Sequence, residues 1–155
     1  MDALGRLTFS EISFLPHKRN DVAAKFVHLE TTARSIRTTP SHLIMAGQCD
    51  SILELTRAED VEVGACVSTV EGQEEVIDSS ITESAGIYTV VTQETSGLIV
   101  VNGVVASSFA VNHWVPNTFY NFHRLAHQIL PTWVMKSSTA VEANLALGEL
   151  IGSVL

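Results

Sequence analysis

A hydroxyl and an imidazole stand close together in Thr39-Pro40-Ser41-His42, just ahead of the apolar Leu43-Ile44-Met45. Held in one turn, two such groups can face the same small site. The threonine hydroxyl can hydrogen-bond a strained amide, and the imidazole can give a proton to its leaving nitrogen. The plainer reading of His42 is a hydrogen-bonded side chain at the edge of the core. Other candidates are poorer. Ser107 and Ser108 could serve a hydrolase together with a histidine, but no Gly-x-Ser-x-Gly elbow surrounds them to expose a hydroxyl. His123 and His127 have the i, i+4 spacing of ligands on a helix, yet no Glu flanks His123 and no third ligand lies close. They and His113-Trp114 read as structural, and no metal or other cofactor is expected. His28 alternates with apolar residues and reads as an exposed or edge side chain. Cys49 and Cys66 are the two cysteines, without CxxC spacing, and allow one disulfide or two buried thiols.

The elements that must position these groups are mostly strands. Leu7-Thr8-Phe9-Ser10-Glu11-Ile12 and Lys25-Phe26-Val27-His28-Leu29 alternate apolar and polar residues, the period of a half-buried strand. Ser35-Ile36-Arg37-Thr38 leads into the turn, where Pro40 ends regular pairing. Residues 61–70 bracket Gly64, and Gly86-Ile87-Tyr88-Thr89-Val90-Val91 is β-branched and aromatic. The sharpest local signal is Leu98-Ile99-Val100-Val101-Asn102-Gly103-Val104-Val105-Ala106, two β-branched runs about the Asn-Gly of a type I′ hairpin turn. A helix is predicted over residues 119–130, with apolar Phe119, Phe122, Ala126 and Ile129 and a stop at Pro131. A second apolar stripe, Val141, Leu145, Ile151 and Leu155, follows. It reads as folding back onto the sheet, and a role at a sterol or membrane surface is left open. Trp114, Trp133 and Phe119 read as core or helix-packing aromatics.

Composition fits a single folded domain. The 155 residues are 46% hydrophobic and 17% charged, with nine basic against seventeen acidic residues and a net charge of −8. Lys and Arg are few and scattered, so nucleic acid is not an expected partner. No apolar run reaches the roughly 18 residues of a membrane span, and residues 1–6 do not read as a signal peptide.

In order and spacing, Gly5-Arg6-Leu7-Thr8-Phe9-Ser10-Glu11-Ile12, Thr39-Pro40-Ser41-His42, Gly86-Ile87-Tyr88-Thr89, the Asn102-Gly103 hairpin with Ser107-Ser108-Phe109-Ala110-Val111, and Arg124-Leu125-Ala126-His127 resemble the autoprocessing domain of hedgehog-type proteins. That domain is a Hint domain, related in fold to inteins, and the resemblance runs from about Leu4 to Pro131. It implies an all-β Hint/intein-like fold over residues 1–131, with a short helical C-terminal extension over 132–155. It implies self-cleavage: a cysteine opening the domain attacks the carbonyl before it, giving a thioester by N-to-S acyl shift, and a second nucleophile such as a sterol or water releases the upstream segment. Thr39 and His42 fall on the residues that assist the shift. Ser108 stands where many relatives have cysteine. His17 falls, by ungapped matching, where an aspartate is thought to activate the sterol, and imidazole can serve as a base near neutral pH. By the same resemblance the chain lacks the opening cysteine and first strands, and would be inactive alone. Its partner would be its own upstream segment in cis, in a secreted hedgehog-like precursor of cell–cell signalling. The rival reading is a non-catalytic β-rich binding or structural module derived from a Hint domain.

Overall fold

The computed structural model describes residues 6–15, 18–110 and 112–129. His17, Trp133 and the extension over 132–155 lie outside them, as do the side chains of His123 and His127. The elements, in order, are β1 (Ile12–Phe14), β2 (Lys18–Thr31), β3 (Ser35–Thr38), β4 (His42–Gly47), β5 (Glu54–Arg57), a 3-10 turn at Ala58–Asp60, β6 (Cys66–Thr69), β7 (Gly72–Tyr88), β8 (Val91–Thr92), β9 (Leu98–Val101), β10 (Val104–Ala110) and α1 (Trp114–Ile129). The fold is all-β apart from that one helix among the described residues.

Every described strand pairing is antiparallel. The main sheet runs β3-β2-β7-β6-β10-β4-β5, with β9 paired to β10. β6 also pairs with β4 through Ala46↔Val67 and Gly47↔Cys66, so β4, β6 and β10 pair with one another in a closed set. That closure leaves the middle of β10 without a free edge, which is why Val104 to Phe109 are all buried. The main core gathers around Val27, Leu29, Ile44, Val67, Val76 and Val104. A smaller one joins Val91, Phe109 and Tyr120, with Phe109 and Tyr120 stacked at 5.6 Å.

The hairpin forms as the Asn-Gly signal requires. Val101 faces Val104 across Asn102 (φ 50°) and Gly103 (φ 83°), the left-handed pair of a type I′ turn. A side chain at Gly103 would also overlap Arg34, so glycine is demanded twice there.

Two features depart from the sequence reading. Strands β2 and β7 are long, 14 and 17 residues, and form one continuous ribbon where short strands were expected. Helix α1 begins at Trp114, ahead of the predicted Phe119, because Asn112 Oδ1 accepts the N–H groups of Trp114 (2.9 Å) and Val115 (3.2 Å) and caps it. Pro116 fits within this first turn, where its missing N–H costs nothing. The helix turns only part of its apolar stripe inward, with Phe119 partly buried against the smaller core. Trp114, Phe122 and Ile129 are exposed, while Asn117, Tyr120 and Arg124 are buried. Polar partners across the interface, described next, outweigh the apolar periodicity.

Cys49 and Cys66 form a disulfide with a Cα–Cα distance of 4.9 Å, tying the link between β4 and β5 to the start of β6.

Candidate active site

The Thr-Pro-Ser-His segment folds as a tight turn between β3 and β4. The His42 N–H donates to the Thr39 carbonyl at 3.0 Å, and the Glu59 N–H donates to the Pro40 carbonyl at 3.0 Å, pinning the turn to the 3-10 segment. Thr39 and His42 are both half-buried. The turn thus brings a hydroxyl and an imidazole to the mouth of the β4–β10 pair.

β10 meets β4 irregularly. Ala106 pairs with Ile44 and Ala110 with His42, four residue steps on β10 against two on β4, so β10 bulges through Ser107 to Phe109. A bulge releases backbone groups from the ladder and re-aims them. Here the Ser107 carbonyl meets His42 Nε2 at 2.8 Å. A carbonyl only accepts, so Nε2 carries the proton, and neutral His42 has a bare Nδ1 as its second nitrogen. Burial pushes the His42 pKa down, opposed by the bond to Ser107, which favours the charged ring. A proton taken up at Nδ1 is therefore loosely held, as suits an acid that must give it away.

Ser108 occupies the same bulge. It is 1% exposed, its N–H donates to the Gly97 carbonyl at 2.8 Å, and its hydroxyl has no hydrogen-bond partner among the described residues. An orphaned buried hydroxyl costs on the order of 1–3 kcal/mol.

A layer of polar groups from α1 and the residue just before it stands behind the bulge. His113 Nδ1 meets the Ser107 hydroxyl at 2.8 Å. Asn117 Nδ2 donates to the Thr95 carbonyl at 3.0 Å, strapping the loop between β8 and β9 to the helix. Arg124 donates through Nε to the Thr92 carbonyl at 2.7 Å and through Nη1 to Asn121 at 2.6 Å and Asn117 at 3.2 Å. Gly97 sits inside this layer at φ +69°, where a Cβ would lie 2.7 Å from Asn117 Oδ1 and 2.9 Å from His113 Cε1.

The Hint module family model matches residues 1–148 of this sequence. The chain belongs to the Hint family. Among solved structures it is similar to the VidaL intein, seen in the crystal structure of a selenomethionine variant, at 16% identity and a TM-score of 0.52 over 63% of each chain. This likeness concerns the fold, and the chain spans 63% of the length of that intein. No curated protein matches the sequence.

On this Hint framework the sequence-predicted residues fall into two groups. His42 on β4 and Ser108 on β10 lie at the same bulge, Thr39 lies in the turn before His42, and His17 lies outside the described residues. Cys49 and Cys66 are spent on their disulfide and offer no free thiol. What sequence reasoning passed over in this Hint domain is the layer behind them. Sequence alone offers Ser107 as a nucleophile and His113 as a structural side chain with no partner assigned, and it does not single out Asn117. Their one sequence signal is the cluster of polar residues in Asn112-His113 and Asn117, where a purely apolar helix face would otherwise be expected.

Proposed function

We propose that this Hint domain carries the first step of protein self-processing, the N-to-S acyl shift, with Thr39 and His42 as its working residues. The observation that supports this most is the half-buried His42 ring at a strand bulge, with Nε2 committed to the Ser107 carbonyl, which leaves Nδ1 as the nitrogen able to take up and give a proton. In the step itself, a cysteine sulfur supplied upstream of these residues attacks the carbonyl carbon of the residue before it. The S–H proton passes to the bare Nδ1 of His42, the C–S bond forms, the C–N bond breaks, and the freed nitrogen takes that proton back from His42 Nδ1. The Thr39 hydroxyl hydrogen-bonds the strained amide as it distorts. A second nucleophile then attacks the thioester carbonyl and returns the sulfur as a thiol.

Release by a sterol or by water, in a secreted hedgehog-like precursor of cell–cell signalling, is the finer form of this reading. The Hint motifs quoted above support it, and a disulfide suits an oxidising compartment. His17 would act there as the base for the incoming hydroxyl.

The test supplies what the reading requires. A cysteine-led Hint N-terminal segment, preceded by a reporter peptide, is fused ahead of Met1. Hydroxylamine should release the reporter as its hydroxamate, trapping the thioester, and Thr39→Ala should slow that release. His17→Ala should leave release by dithiothreitol intact and slow release by water or an alcohol, because an external thiolate needs no base. A folded chimera that yields no hydroxamate would sink the acyl-shift reading, and equal slowing of both routes would sink the role of His17.

A further inference from the structure

Ser107 stands between two histidines and touches each with a different group. Its carbonyl takes the Nε2–H of His42, and its hydroxyl meets Nδ1 of His113, both at 2.8 Å. Ser107 is fully buried and His113 nearly so. The Phe109 N–H donates to the same hydroxyl oxygen at 2.9 Å, so that oxygen already accepts and its own proton is available to the imidazole. The His113 ring also hydrogen-bonds the Ser96 backbone, in the sense that favours a charged ring. A ring N–H therefore points at that carbonyl, and Nδ1 is left bare to accept from Ser107. Each polar group in this chain of contacts meets a partner of the opposite kind.

The β10 bulge breaks the ladder of Ser107 with β4, while on the other side Ser107 pairs with Leu98 of β9 and the Ser108 N–H donates to the Gly97 carbonyl. The Ser107 side chain adds a second hold on the β4 side, through His113 just ahead of α1. Phe109 packs against the His113 ring at 5.9 Å, and Gly97 lets the loop before β9 close over it.

We propose that His113 is a positioning residue for His42: by fixing Ser107 through its hydroxyl, it aims the Ser107 carbonyl at His42 Nε2 and holds the His42 ring in one tautomer and one orientation. The catalytic consequence rests on the reading of His42 proposed above, but the geometric link belongs to the 155-residue chain itself. A merely structural His113 would matter to folding and leave the His42 tautomer unchanged in any variant that folds.

The experiment is imidazole-nitrogen NMR of the 155-residue chain and of His113→Phe, Ser107→Ala and His113→Asn. The parent should show His42 as a single Nε2–H tautomer. His113→Phe fills the space without an acceptor, and Ser107→Ala removes the hydroxyl but keeps the carbonyl; both should put His42 into exchange between two tautomers. His113→Asn retains an oxygen for the Ser107 hydroxyl and should restore the single form. Should His113→Phe fail to fold, Ser107→Ala, which deletes one oxygen, carries the test. A folded Ser107→Ala whose His42 keeps its single tautomer would overturn the proposal. In the cysteine-led chimera, thiol-driven cleavage should fall about tenfold in His113→Phe, the rate equivalent of one hydrogen bond, and recover in His113→Asn. A parent chimera that does not cleave would count against the proton-donor reading of His42, while the tautomer result would still decide the positioning.

Discussion

The β2–β7 ribbon and the β4–β10 pair are made of the same antiparallel ladder and put it to opposite uses. The ribbon pairs without interruption from Ala23↔Ala85 to Glu30↔Asp78, and much of its surface faces solvent, with Ile77, Ile81 and Tyr88 exposed. A regular ladder satisfies its own backbone and has nothing left to offer a reaction. The β4–β10 pair breaks register, buries every residue from Val104 to Phe109, and frees one carbonyl to hold an imidazole. The chemistry proposed above would sit where regularity is given up inside a closed, well-packed set of strands. The irregular pair must then be stabilised by what surrounds it, and the ribbon need not be.

The largest effect separating the two regions should come from the disulfide, which crosslinks only the compact one. Cys49→Ser with Cys66→Ser should cost about 3 kcal/mol of unfolding free energy in a denaturant titration, as expected for a loop of this length. A loss below measurement would mean that the closed strands hold without the crosslink. Next comes Gly97→Ala. The added methyl must fit between Asn117 and His113 on a left-handed backbone, so a loss of about 2 kcal/mol is expected, with disturbed His113 resonances. A neutral Gly97→Ala would mean that the loop and α1 are not locked together.

Acid should find the site before it finds the ribbon. Burial holds the pKa values of His42 and His113 below the ordinary 6.5, the backbone bonds to Ser107 and Ser96 opposing in each case. On acidification the unfolded chain binds protons first at these two positions. Their stabilising effect is therefore complete above the ordinary value and is lost as pH falls from there through the depressed folded values. Melting midpoints measured from about pH 7.5 to about pH 5 should drop, and His113→Asn should remove part of the drop. A midpoint flat across that window would contradict the burial of both rings. The smallest effect belongs to the ribbon: Ile81→Thr should change stability by no more than about 0.5 kcal/mol, since it alters an exposed side chain in a regular ladder.

What could be read in the sequence was local. Asn102-Gly103 demands positive φ angles and supplies them without help from the rest of the chain, so the hairpin was legible residue by residue. The Thr39–His42 turn, set by Pro40 ahead of the apolar Leu43-Ile44-Met45, was legible in the same way. The bulge was not, because register between β4 and β10 is fixed by packing across the closed strands and leaves no mark on either segment. The pairing of Ser107 with His113 follows from that bulge and from where Asn112 starts the helix. The stripe of Phe122 and Ile129 misled for a related reason: helical periodicity shows which residues share a face, not which face meets the protein. Asn117 and Arg124, with neighbouring acceptors on Thr95 and Thr92, decided that instead. The disulfide, too, depended on the β4–β5 loop meeting the start of β6 in the fold.

The most direct test sets one histidine from each region against the other. His42 lies on the irregular strand pair and His28 on the ribbon, where it faces Arg37 and Ser80 in register. In the cysteine-led chimera, dithiothreitol-driven release of the reporter is timed for His42→Ala and His28→Ala, with folding checked by circular dichroism. Removing a general acid costs on the order of 10²–10⁴-fold, so His42→Ala should slow release by that much while His28→Ala stays within about twofold of the parent. Equal rates for the two folded variants would contradict the assignment of the acyl shift to the β4–β10 site.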